Sequence, residues 1–142
     1  MAAKTDPIVD QLGAVPLFSG LSRKELTAIS GLAKLFRFQA GSTIVEEGTT
    51  GGRFYLITEG HVDVLVNGHR VTELGPGTAF GEIALIDEGP RTATVLARSD
   101  VEAFGIASFN FRPLLKNEPG VAFKLLVELS RRLREADRMQ SI

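Results

Sequence analysis

The sequence predicts a mainly β domain, an antiparallel barrel flanked by helices, and three observations carry that expectation. Between Phe36 and Ile106, short apolar stretches are broken at Gly41, Gly48, Gly60, Gly68, Gly75 and Gly77, a punctuation of roughly ten residues that suits antiparallel strands closing into a barrel. Helix signals lie outside that stretch, at both ends. With 142 residues, 44% of them hydrophobic, the chain is long enough for one core and too short for two ordinary domains.

In chain order, Leu21-Ser22-Arg23-Lys24-Glu25-Leu26 reads as a capping box, with Ser22 as cap, Glu25 reaching back, and Leu21 with Leu26 as the hydrophobic staple. Leu26, Ile29 and Leu32 then line one helix face. His61-Val62-Asp63-Val64-Leu65-Val66 alternates as a strand, with Val62, Val64 and Val66 on one side, and Asn67-Gly68 is a hairpin signal. Ser108 to Leu115 reads as a short helical segment distorted by Pro113, and Pro119 opens a last helix running to about Met139. On it Ala122, Leu126, Leu129, Leu133 and Ala136 form a heptad-type seam, either a packing face for the chain's own barrel or a twofold dimer helix. The expected parts are residues 1–35 (N-terminal helical part), 36–107 (barrel) and 108–142 (C-terminal helices) of a single domain.

Composition excludes several function classes. Sixteen Lys and Arg against seventeen Asp and Glu give a net charge of −1, without the basic surplus of a nucleic-acid binder. Arg131, Arg132, Arg134 and Arg138 are interleaved with Glu128, Glu135 and Asp137, a solvated face with internal ion pairs. Cysteine is absent, which excludes disulfides and thiolate metal sites. Met1 to Gly13 has neither the charged start nor the apolar core of a signal peptide, and no apolar run approaches a membrane span, so the cytoplasm is the expected compartment. His61 and His69 are too few for a metal-dependent barrel enzyme, which needs three or four convergent ligands. Thr49-Thr50-Gly51-Gly52 lacks the Lys-Ser/Thr of a P-loop and reads as a flexible turn. A binding module is expected, without catalysis, metal or cofactor.

The chemistry concentrates in residues 80–95, FGEIALIDEGPRTATV. Phe80-Gly81-Glu82 ends an apolar stretch, Gly81 lets backbone approach a ligand, and Ile83-Ala84-Leu85-Ile86 suffices for one helical turn with free N–H groups at its start. Asp87-Glu88-Gly89-Pro90 reads as a turn, and Arg91 opens a β-branched run, Thr92 to Val95, that reads as a strand. Arg91 offers a planar fork of donors to phosphate oxygens, the helix-start amides share the charge, and Glu82 accepts from hydroxyls. A singly charged phosphate beside a diol fits this arrangement. The alternative is that Glu82 and Arg91 pair only with each other.

Gly81-Glu82-x-Ala84-Leu85 followed by Pro90-Arg91-Thr92-Ala93 resembles the phosphate-binding cassette of the cyclic-nucleotide-binding domain family. The resemblance runs from about Leu17 to Arg134 and includes Glu47-Gly48, Tyr55-Leu56-Ile57 with Gly60, and Leu74-Gly75-Pro76-Gly77. It implies an antiparallel double-stranded β-helix, or jelly-roll, barrel. It also implies a sensor that binds cAMP, or less readily cGMP, through Gly81, Glu82, Ile83, Ala84, Leu85, Arg91, Thr92 and Ala93, and that signals through its C-terminal helices. In it Glu82 accepts from the ribose 2′-hydroxyl and Arg91 pairs with the exocyclic phosphate oxygens. Val64, Val71 and Leu74 take base-contact positions, and Thr92 is the residue associated with cGMP preference.

Leu129-Ser130-Arg131-Arg132-Leu133 is similar to the dimer helix of bacterial catabolite-activator regulators, which makes a homodimer one expected partner. The family's adenine-contacting hydroxyl pair falls near Ala136 and Asp137, where no hydroxyl stands, and no DNA-reading element is read. Two alternatives accompany this reading: a docking or dimerisation module that keeps the fold without responding to nucleotide, and a fragment of a channel, kinase, transporter or cyclase.

Overall fold

The computed structural model describes residues 6–87 and 89–139, which form two units. Glu88 in the expected cassette turn lies outside the described residues.

The first unit takes the chain up to Gly31 and from Pro113 on. It contains helix α1 (Asp6–Gly13), a 3-10 turn (Pro16–Phe18), α2 (Arg23–Ser30), the end of α3 (Ser108–Asn117) and α4 (Pro119–Met139). The capping box forms as its sequence demands: Ser22 Oγ accepts from the Glu25 amide at 3.2 Å, and Glu25 Oε1 accepts from the Ser22 amide at 2.8 Å. Glu25 Oε1 also pairs with Lys124 Nζ at 2.8 Å, joining α2 to α4. Leu26 and Ile29 are buried, but α2 ends at Ser30, short of Leu32.

The last helix begins at Pro119 and runs to Met139 as expected, yet its buried stripe differs from the expected seam. Val121, Leu125 and Glu128 are the buried positions, whereas Leu126 and Leu133 are 60% and 64% exposed and Ala136 is exposed. Glu128 tolerates burial because Arg131 Nη2 and Arg132 Nε reach its Oε2 at 2.7 and 3.3 Å. These bonds, Arg131's first, hold its carboxyl below the usual range.

The second unit, residues 32–112, is the β part. Its strands are β1 (Lys34–Phe38), β2 (Thr43–Val45), β3 (Arg53–Glu59), β4 (Val62–Val66), β5 (His69–Leu74), β6 (Ala79–Phe80), β7 (Thr94–Ala97) and β8 (Val101–Ala107). They form two four-stranded antiparallel sheets, ordered β1-β8-β3-β6 and β2-β7-β4-β5. This is the strand order of a jelly roll, built as a sandwich of two sheets in place of a closed barrel. Val45, Tyr55, Ile57, Val62, Val95, Ala97, Val101 and Ala103 from both sheets make its core. Phe36, Phe38 and Phe80 pack their rings against Tyr55 with centroids 5.9, 5.7 and 5.3 Å away. At the β4–β5 hairpin, Asn67 (φ 53°) and Gly68 (φ 80°) take the left-handed conformations that a tight two-residue connection requires.

Candidate phosphate site

The chemistry-bearing residues fall between β6 and β7. Gly81 stands at φ 84° and opens a 3-10 turn, Glu82–Leu85, whose first amides have no partner within the turn. Ala84 and Leu85 are buried and anchor it, while Ile83 is exposed. Asp87 Oδ1 accepts from the Gly89 amide at 2.9 Å, closing the loop before Pro90. The run after Arg91 enters the sheet later than expected, at Thr94 and not Thr92. The reason is that the Arg91 backbone is engaged elsewhere: its N–H donates to Thr49 O and its carbonyl accepts from the Gly48 amide, both at 2.8 Å.

The Arg91 side chain is fixed with equal care. Its Nη2 donates to the Arg53 carbonyl at 2.6 Å. At Gly81, a Cβ would stand 2.8 Å from that carbonyl and 2.8 Å from Arg91 Nη1, so the guanidinium lies directly against the glycine backbone. Burial lowers the Arg91 pKa from its ordinary value; nearby Tyr55 partly offsets this and the Arg53 charge adds to it. Among the described residues, Glu82 and Arg91 do not form an ion pair with each other, and no carboxylate pairs with Arg91.

Three adjoining clefts share Arg91. One of about 270 Å³ is lined by Gly81, Glu82, Ile83, Ala84, Asp87, Gly89, Pro90 and Thr92. A second, of about 180 Å³, has the apolar wall Val45, Val64, Phe80 and Val95, with Thr92 and Ala93 at its edge. The third, about 300 Å³, lies toward Thr49, Thr50, Gly52, Arg53 and Tyr55. The arrangement therefore offers a half-buried cation without a carboxylate partner among the described residues, a carboxylate at a helix start and an apolar wall. It suits an anionic ligand with hydroxyls and a flat apolar part.

A profile of the cyclic nucleotide-binding domain matches residues 35–118. The chain belongs to the cyclic nucleotide-binding domain family. It is 40% identical over 110 residues to a cGMP-dependent protein kinase from Toxoplasma gondii, covering 77% of this chain and 11% of the kinase. The crystal structure of the N-terminal domain of a transcriptional regulator from Streptomyces coelicolor A3(2) superposes with a TM-score of 0.83 at 32% identity, covering 92% of this chain and 94% of that one. The regulatory domain of Toxoplasma gondii PKA, crystallised with cAMP, gives 0.70 at 26% identity, covering 80% of this chain and 45% of that one.

Within this cyclic nucleotide-binding domain, Gly81, Glu82, Ile83, Ala84, Arg91, Thr92, Ala93 and Val64 border the Arg91 clefts. Leu85 is buried beneath the turn. Leu74 packs against the sandwich core, and Val71, 59% exposed on edge strand β5, lines none of the three clefts. Sequence reasoning missed Gly52, read as part of a flexible turn. A Cβ there would strike Ser108 and the Ala84 carbonyl, and its own carbonyl accepts from the Ser108 amide at 2.6 Å. Arg112 was missed too; its Nη2 donates to Ile86 O at 2.7 Å and so ties α3 to the end of the cassette turn. Neither contact has a signal in local spacing, since each joins residues far apart in the chain. Among the described residues there is no cluster of three or more metal-ligating side chains, and no helix long and apolar enough to cross a membrane.

Proposed function

We propose that this cyclic nucleotide-binding domain is a sensor that takes a cyclic mononucleotide at the Arg91 clefts, cAMP in preference to cGMP, and passes occupancy to α3 and α4. The observation that carries the reading is the Arg91 guanidinium, pinned to Arg53 O and Gly81 yet left without a carboxylate among the described residues. A cyclic phosphate supplies the missing charge, and Glu82 accepts from the ribose 2′-hydroxyl. Val45, Val64, Phe80 and Val95 suit a purine face. Guanine carries two exocyclic polar groups to desolvate and adenine one, which supports cAMP on so apolar a wall; Thr92, the one hydroxyl there, is the group that favours cGMP. Val71 and Leu74 are assigned to the outer edge of base contact. The Arg112 bond to Ile86 O supports transmission, because a cassette drawn toward the phosphate pulls on α3.

The partners in this reading are the nucleotide and a second copy of the chain, which would cover the exposed α4 residues Phe123, Leu126, Val127 and Leu133. Calorimetric titration with cAMP and with cGMP, beside Arg91→Ala, tests the ligand. Removing a charge-assisted contact costs about 1.5–3 kcal/mol, or roughly 10- to 150-fold in affinity. Heat from neither nucleotide would turn the reading to a docking module of the same fold. Amide exchange in α3 and α4 that is identical with and without ligand would remove the transmission step.

A further inference from the structure

Glu47 has no place in the cassette, yet it links its own 46–49 turn to the segment after Arg91 and to the tip of the β4–β5 hairpin. Its backbone N–H donates to Thr94 Oγ1 at 2.9 Å, three residues beyond Arg91, and its Oε1 accepts from the Asn67 amide at 3.0 Å, at the tip of the β4–β5 hairpin. In a turn with left-handed Asn67 and Gly68, the amide of the first turn residue takes no part in the strand ladder; here a carboxylate twenty residues upstream satisfies it. The next residue, Gly48, donates to the Arg91 carbonyl at 2.8 Å, and Thr49 O accepts from the Arg91 amide at 2.8 Å. Gly48 stands at φ 87°, so the 46–49 turn has a shape that side chains rarely adopt, and Glu47 within it ties the turn to Asn67 and Thr94.

We propose that Glu47 is a positioning residue for Arg91. By fixing the 46–49 turn between the hairpin tip and Thr94, it sets where the Arg91 backbone sits and hence where the guanidinium meets the ligand's phosphate. The proposal rests on the cyclic-nucleotide reading of the Arg91 clefts. Its consequence is coupling: the hairpin tip, which carries none of the residues assigned to the ligand, responds to phosphate occupancy through Glu47, and the response is reciprocal.

The test has two arms. In ligand-free protein, Glu47→Ala is expected to speed amide exchange at Asn67, Gly48 and Arg91 together, by about tenfold, the equivalent of one hydrogen bond, while Phe104 in β8 stays protected. Glu47→Gln, which keeps an accepting oxygen, is expected to retain protection. Faster exchange at Asn67 alone overturns the proposal. In the second arm, cAMP affinity is measured for Glu47→Ala in the wild-type and Arg91→Lys backgrounds. A residue acting through the Arg91 fork is expected to cost about tenfold in the first background and less than threefold in the second; equal costs mean general loosening and overturn it. If the unmutated protein binds neither cAMP nor cGMP, the functional reading fails on its own, and the exchange arm still decides whether Glu47 holds Arg91.

Discussion

Replacing Gly81 with alanine tests the site geometry more directly than replacing any charged residue, because it adds one methyl group where the backbone and the guanidinium already touch. Two costs follow from the structure. The first is conformational: φ is 84° at Gly81, and a left-handed backbone costs a side-chain-bearing residue about 1–2 kcal/mol. The second is crowding, since the new Cβ would lie 2.8 Å from Arg53 O and 2.8 Å from Arg91 Nη1; forcing such contacts apart costs about 1–3 kcal/mol. The sum is about 2–5 kcal/mol. With an unfolding entropy of roughly 2.1 cal/mol/K per residue, a chain of this length loses about 3 °C in Tm per kcal/mol, which gives a fall of about 7–17 °C. Cyclic-nucleotide affinity falls as well, by about tenfold or more, because the guanidinium must leave its bond to Arg53 O. Gly77→Ala is the matched control: φ there is 87° with nothing within 4 Å of the new Cβ, so it carries the conformational cost without the crowding. Calorimetric melting and titration of both variants separate the two. If Gly81→Ala melts and binds like Gly77→Ala, then Arg91 does not rest on Gly81, and the site described above is wrong.

Two further outcomes are expected. Glu25 and Glu128 have carboxyls held below the ordinary value of 4.5, by Lys124 and by Arg131 respectively. The stability they contribute is present above about pH 4.5 and lost as pH falls through their lowered folded-state values, so Glu128→Gln should flatten that limb of an acid-unfolding curve; an unchanged limb would show that its ion pairs do not stabilise the fold. Leu133→Glu places a charge in the exposed α4 strip and should convert a dimer to monomer in sedimentation velocity at micromolar concentration, whereas a wild-type protein that is already monomeric there would refute the α4 dimer.

Where the sequence was legible, the determining contacts are local. Ser22 and Glu25 satisfy each other within one turn, Asn67-Gly68 sets a hairpin through its own two dihedrals, and Pro119 starts a helix because it lacks an N–H. Helix α1 lies in the part read as helical, residues 1–35, but had no bounds of its own, although Val9 and Leu12 at helical spacing, both buried, were a signal for them. Other errors arise where tertiary contacts override pattern. Strand β7 starts at Thr94 because the Arg91 backbone is bound by the 48–49 turn. The buried stripe of α4 lies one residue away from the leucine seam and passes through Glu128, whose charge Arg131 and Arg132 make tolerable. Gly52 reads as freedom in the sequence, and in the fold it is a point where Ser108 and the Ala84 carbonyl close in.

The arginine itself shows why motif and geometry are complementary. A Pro-Arg-Thr-Ala run specifies a guanidinium, not its partners, and the commonest partner of a half-buried arginine is a nearby carboxylate. Here Glu82 lines a cleft with it and the two form no ion pair, because the Arg53 carbonyl and the Gly81 backbone hold the fork in place. Burial disfavours the Arg91 charge and so lowers its pKa, and the Arg53 carbonyl holds one end of the fork. On the proposed reading, the phosphate of a cyclic nucleotide would offset that cost on binding, and this differential interaction is what would shift the domain.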